Sequence, residues 1–167
     1  MSGRRANISA LLAIGGVLML SGCGGGGPSK SGYIAKANTI CRTERSETAP
    51  LIGQVISLAG SLSSGSSSAG ARLASTLQRL HTVAAEYLAQ LQRLKQPSGD
   101  HSAIEAFLTP LGHVVDAIGK AANAVGRGQV PAALALLQQA SPLAQEATAA
   151  AHSYGMRQCE TVLTALG

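Results

Sequence analysis

Few residues in this 167-residue chain have the type and placement to do chemistry: three cysteines, four histidines and one glutamate on an otherwise apolar stripe. Glu44 lies between Cys41 and Thr48 at helical spacing, and a carboxylate on such a face is uncommon unless it is paired or functional. Two readings stay open for it. It forms a salt bridge with Arg42, Arg45, Arg79 or Arg157, or it is a polar group lining a ligand cleft. The histidines fit a metal or haem site poorly. His81 flanks a core stripe, His113 and Asp116 share a solvent face, His101 and Glu105 open a helix, and His152 precedes Met156 by one turn. A di-iron bundle needs inward Glu-x-x-His pairs and covalent haem needs C-x-x-C-H, and neither occurs. Nucleophilic catalysis lacks a G-x-S-x-G elbow. The glycines at 24–27 and 126–128 do not follow a strand, so a phosphate cradle is excluded. The expectation is therefore no catalytic residue, no metal and no cofactor.

The elements that would position these residues are helices. Aromatic residues are 2% of the chain and Trp is absent, while Ala and Leu are abundant, which disfavours an all-β domain. From Tyr33 to Leu58 the residues Ile34, Ala37, Cys41, Glu44, Thr48, Leu51, Val55 and Leu58 recur in steps of three and four. Pro50 should kink or divide that helix. The Gly/Ser run at 60–70 reads as a disordered loop. A second helix carries Leu73, Leu77, Leu80, Ala84, Tyr87, Leu91 and Leu94 at heptad spacing and ends at Pro97 and Gly99. A third carries Ile104, Phe107, Leu111, Val114, Ile118, Ala121 and Val125, with a kink expected at Pro110. A fourth starts near Pro131 and presents Leu134, Leu136, Leu137, Leu143, Ala144, Ala147 and Ala151, interrupted by Pro142. Tyr154-Gly155 should break or bend it into a last segment from Met156. Short connections predict an all-α, antiparallel four-helix bundle, with the three prolines bending their helices around a shared waist.

The N-terminal segment has another role. Arg4 and Arg5 precede an apolar run from Ile8 to Leu20, too short for a comfortable span of about 20 residues, followed by small residues. Leu20-Ser21-Gly22-Cys23 resembles the lipobox of bacterial lipoproteins. The resemblance implies a signal peptide over 1–22, cleavage before Cys23, and two or three acyl chains on that residue, enough for stable anchoring. Residues 23–32 then form the lipidated Cys23 and a flexible Gly/Ser tether, and 33–167 the bundle domain. Losing Arg4 and Arg5 takes the charge from +5 to +3, too weak and too evenly spread to suggest nucleic acid.

With Cys23 assigned to the lipid, Cys41 and Cys159 remain as an even pair in an oxidising compartment. An antiparallel four-helix topology returns the last segment to the start of the first helix, so a Cys41–Cys159 disulfide between first and last helices is expected. The mature chain resembles a loose group of small lipoproteins of actinobacterial type. In that group a lipobox and tether precede a helical domain with one early Cys and another in a terminal stretch, here Tyr154-Gly155-Met156-Arg157-Gln158-Cys159. No activity is assigned to the group, so the resemblance implies architecture and location: the extracytoplasmic face of the cell membrane, held by a lipid anchor. Two functions fit. The first is a non-enzymatic interaction or envelope-structural module whose partner is another envelope protein. The alternative is a binding protein for a small hydrophobic molecule, held in a bundle cavity at the proline waist.

Overall fold

The structure, a computed structural model, describes residues 27–63 and 68–163. The signal at 1–22, the lipid-bearing Cys23 and the first tether residues lie outside them. Five helices follow in order: α1 (Lys30–Ser63), α2 (Ala69–Gln92), α3 (His101–Gly126), α4 (Val130–Tyr154) and the short α5 (Arg157–Leu163). The described residues contain no strand. The four long helices form the antiparallel bundle, and the Cys41–Cys159 disulfide ties the first helix to the last.

Two boundaries differ from the composition-based expectation. Lys30 to Gly32 already belong to α1, which shortens the tether, and α1 runs on through Ser63, so the 60–70 loop is largely helical and only 64–67 lie outside the described residues. Gly and Ser weaken a helix by well under 1 kcal/mol to about 1 kcal/mol each, and tertiary packing overrides such a preference. Leu58 and Leu62 hold this last part of α1 on the core. The prolines behave similarly. Pro50, Pro110 and Pro142 all lie inside continuous helices, so none divides its element. Each removes one backbone donor, while the turns on both sides stay anchored by buried residues such as Leu51, Leu111 and Ala144.

α3 is the spine. Ile104, Phe107, Leu111, Val114, Ile118, Ala121 and Val125 are all buried, as their spacing predicts, and α3 packs most extensively on α4 and then on α2. α2 buries Leu73, Leu77, Leu80, Ala84, Tyr87 and Leu91. α4 departs from its predicted face. Its buried stripe is Ala133, Ala140, Ala144, Ala147 and Ala151, ending on Tyr154, whereas Leu136, Leu137 and Leu143 are half-buried and Leu134 is 53% exposed. Small side chains let two helix backbones approach closely, and the leucines are displaced to the flanks of that contact.

The bundle closes in an unusual way. α1 packs on α2 and on α5, and α4 packs on α3 and on α5, but α1 and α4 barely touch each other. α5 is therefore the wedge that joins them. Gly155 makes this possible: its φ of 96° is left-handed, and Met156 N–H and Gly155 N–H both donate to the Ala151 carbonyl, at 2.8 and 3.0 Å. This is a glycine-terminated helix end of the Schellman type, which reverses the chain within two residues. Met156 and Cys159 are then fully buried against α1. Polar contacts reinforce the joint. Gln158 N–H donates to Asn38 Oδ1 at 2.9 Å, and Arg45 Nη2 donates to the Gln158 carbonyl at 2.9 Å. Tyr154 O–H donates to Asp100 Oδ2 at 2.7 Å, fixing the end of α4 to the start of α3. Tyr33 meets Tyr154 edge to face, and Lys30 Nζ sits 4.3 Å over the Tyr154 ring.

Replacing both Cys41 and Cys159 by Ser should lower the unfolding free energy by about 2–4 kcal/mol, because the bridge closes a loop of 118 residues. Asn38→Ala should cost only about 1 kcal/mol, a typical net hydrogen bond. Urea midpoints of the three proteins check this; an unchanged midpoint in the double serine variant would contradict the role given to the joint.

Candidate functional site

The fastening at one end leaves a gap at the other. Beyond Leu58, α1 presents Ala59 and Gly60, and the facing start of α4 presents Ala133. Side chains this small cannot span two helices that are held apart, so space remains. A groove of about 550 Å³ occupies it. Its α1 wall is Val55, Ala59, Gly60 and Leu62, its α4 wall Val130, Ala133, Leu134 and Leu137, and Leu73, Leu77 and Val125 form the floor. Among the described residues no charged, polar or aromatic side chain lines it. Its volume is within the range of small-molecule sites, roughly 300–1,000 Å³.

The groove is not at the proline waist where the sequence reading puts a cavity. Pro50, Pro110 and Pro142 are not among its lining residues, and their neighbours Leu51, Leu111 and Ala144 are buried. Pro110 itself is buried. Ile56, 66% exposed, stands on the same side of α1 as Gly60, and Leu134 is exposed on the opposite wall, so large apolar side chains flank the opening on both helices.

Charge is segregated along the bundle rather than evenly spread. Between Glu47 and Glu86, and again between Asp116 and Glu146, the sequence holds no acidic residue, and Arg72, Arg79, Lys120 and Arg127 are the only formal charges. These two stretches build the half of the bundle that contains the groove. All four basic side chains are exposed and none has an acidic partner among the described residues. Arg127 Nε donates to Gln129 Oε1 at 3.1 Å. α2 and α4 also begin at this end, with no acid in either first turn, so their positive dipole ends add to the same sign. The disulfide half carries all the acids.

Glu44 lies on the inner face of α1, as its spacing predicts. It is buried at 7% exposure, and among the described residues no salt bridge joins it to Arg42, Arg45, Arg79 or Arg157: Arg45 donates to the Gln158 carbonyl, and Arg157 meets His152 and Glu160. Nor does it line the groove, whose first α1 residue, Val55, is about 16 Å further along the axis. Burial pushes its carboxyl from the ordinary 4.5 up to about 7. Tyr87 on α2 senses the same surroundings: burial raises its phenol, and Glu47 and Glu44 add to the effect.

The histidines are dispersed. His81 packs its ring on Gly119 so closely that a Cβ there would sit 2.9 Å from the imidazole. His101 Nδ1 pairs with Gln96 Oε1 at 2.7 Å, His113 and Asp116 are exposed as expected, and exposed His152 meets Arg157 and Glu160. Met156 is buried while His152 faces solvent, so the two do not form a ligand pair. Among the described residues no three His, Cys, Asp or Glu side chains converge as a metal site, and no helix is long and apolar enough to cross a membrane. No protein family, curated protein or solved structure matches the chain.

Glu44 gives a pH test with a definite sign. Its folded pKa lies above its unfolded one, so the folded state binds the proton more tightly and stability is greatest below about pH 4.5, falling as pH rises toward 7. Glu44→Gln removes the ionisation while keeping the shape. It should stabilise the protein by about 1–3 kcal/mol at pH 8 relative to its effect at pH 4.5. Urea midpoints at the two pH values check it; a pH-independent difference would contradict a buried, unpaired carboxylate.

Proposed function

We propose that the protein is a non-enzymatic lipoprotein, anchored through Cys23 on the extracytoplasmic face of the cell membrane, whose bundle binds a hydrophobic molecule. The observation that carries this reading is the groove of about 550 Å³ with an all-aliphatic lining. An open space of this kind, lined by Leu77, Val125 and Leu137, exposes apolar surface to water, and each methylene of a guest that covers it contributes about 0.8 kcal/mol before the cost of association. The anchor rests on the lipobox resemblance of Leu20-Ser21-Gly22-Cys23. Lys30, the first residue of α1, sits at the disulfide end; Val55 is about 38 Å along α1 from it. The start of α1 and the groove lie at opposite ends of that helix, which supports a reading in which the bound molecule is presented away from the attachment point.

The interaction-module reading draws on Ile56 and Leu134, two large exposed apolar side chains beside the opening. The Cys23→Ser chain, expressed in an exporting host, should leave the membrane fraction, and its soluble form should brighten the neutral dye N-phenyl-1-naphthylamine saturably. Ala59→Phe, which fills the groove from its α1 wall, should weaken that binding at least tenfold without lowering the melting temperature. Continued membrane retention would count against lipidation. Absence of saturable brightening would count against the groove and leave the interaction module as the better reading.

A further inference from the structure

On the other flank of α1 runs a second groove, between α1 and α2, of about 440 Å³ and polar in its lining. α1 contributes Gly53, Gln54 and Ser57 to it, α2 contributes Arg72 and Ser75, and buried Thr76 lies in its floor. Arg72 is the one charge among its described lining residues. We infer that this groove is a binding site for a small sugar bearing one anionic group, a carboxylate or a phosphate. The site is separate from the aliphatic groove and does not rest on the hydrophobic-ligand reading.

The charge selects the anion. Arg72 has no acidic partner among the described residues, so its planar guanidinium is open to one carboxylate or phosphate, which it holds by two parallel hydrogen bonds. The nearest acid along α1, Glu47, bonds to Tyr87 and lies about 21 Å along the axis from Ser61, which lines the groove with Arg72. The uncharged groups select the hydroxyls. Ser75 Oγ and Thr76 Oγ1 both donate to the Arg72 carbonyl, each at 2.9 Å, so toward a guest they accept. The side chains of Gln54 and Ser57 have no partner among the described residues and both donate and accept. A guest that satisfies both sets gives and takes hydrogen bonds at several points, as the hydroxyls of a sugar ring do. An inorganic anion brings too few donors, and a neutral sugar leaves Arg72 unused. No aromatic ring among the lining residues offers a nucleobase a stacking face. Gly53 leaves the backbone of the α1 wall open to close approach. A glycine inside a helix weakens it, and here packing does not require one, since a Cβ at this position would meet nothing within 4 Å.

The test is isothermal titration of the full chain, reconstituted in zwitterionic vesicles, with four probes: glucuronate, glucose 6-phosphate, glucose and inorganic phosphate. At least one of the two anionic sugars should bind saturably and about tenfold or more tightly than either glucose or phosphate, and the better of the two names the anionic group. Arg72→Gln should bring that affinity down to about the level of glucose. Gly53→Leu, which places a side chain in the open space of the α1 wall, should weaken it about tenfold or more. Neither variant should lower the melting temperature, because Arg72 is exposed and a Cβ at Gly53 touches no neighbour. Phosphate binding as tightly as the sugar phosphate would reduce the groove to a plain anion site and overturn the inference. Affinity that survives Arg72→Gln, or no saturable binding of either anionic sugar, would overturn it as well.

Discussion

The joint between α1 and α4 governs this molecule. In a bundle closed all round, each helix packs on two others along its length. Here α1 and α4 meet through α5, and α5 reaches only one end. A disulfide, a glycine-reversed chain at Gly155 and two hydrogen bonds of Gln158, its N–H donating to Asn38 and its carbonyl accepting from Arg45, concentrate the closure there. Among the described residues no disulfide joins the other end, and it is there that the walls separate and the apolar floor of Leu73, Leu77 and Val125 is reached from outside.

Side-chain size converts that topology into a site. α4 packs through alanines, which brings its backbone close to α3 and leaves little bulk to reach across to α1. The same economy appears on α1 past Leu58, where Ala59 and Gly60 follow. Filling the gap would need larger residues on these walls; a chain with one Phe and no Trp has few to offer. Several polar contacts between helices lie at the fastened end, where Tyr154 bonds to Asp100 and Gln158 bonds to Asn38 and Arg45. One end is thus specified by directional bonds and the other by unfilled aliphatic surface.

Much of the architecture is legible in the residues, because helical spacing reports burial directly. The stripes of α1, α2 and α3 are buried nearly as read, down to the inward Glu44 and Thr48, and thiol count with topology pairs Cys41 with Cys159. α4 is misread because leucine is weighted over alanine, whereas close helix contact selects the smaller residue: Leu134 faces out and Ala133 faces in. The prolines suggest a waist, yet the helices continue through them and the open space lies elsewhere. The groove itself is illegible, since a cavity depends on how far apart two helices are held. The acid-free stretches from 48 to 85 and 117 to 145 are plain in the sequence, but their meaning depends on the fold that stacks them at one end.

α1 and α4 are fastened through α5 at the disulfide end, and the groove between them lies towards the other end, the place proposed for a hydrophobic guest. Hydrogen exchange of the full protein in zwitterionic vesicles, with and without palmitate, measures this segment by segment. Residues 33–41 and 151–159 should exchange slowly in both conditions, while 55–62 and 130–137 exchange faster and are slowed at least severalfold by palmitate. Uniform protection along both helices, indifferent to palmitate, would contradict the account.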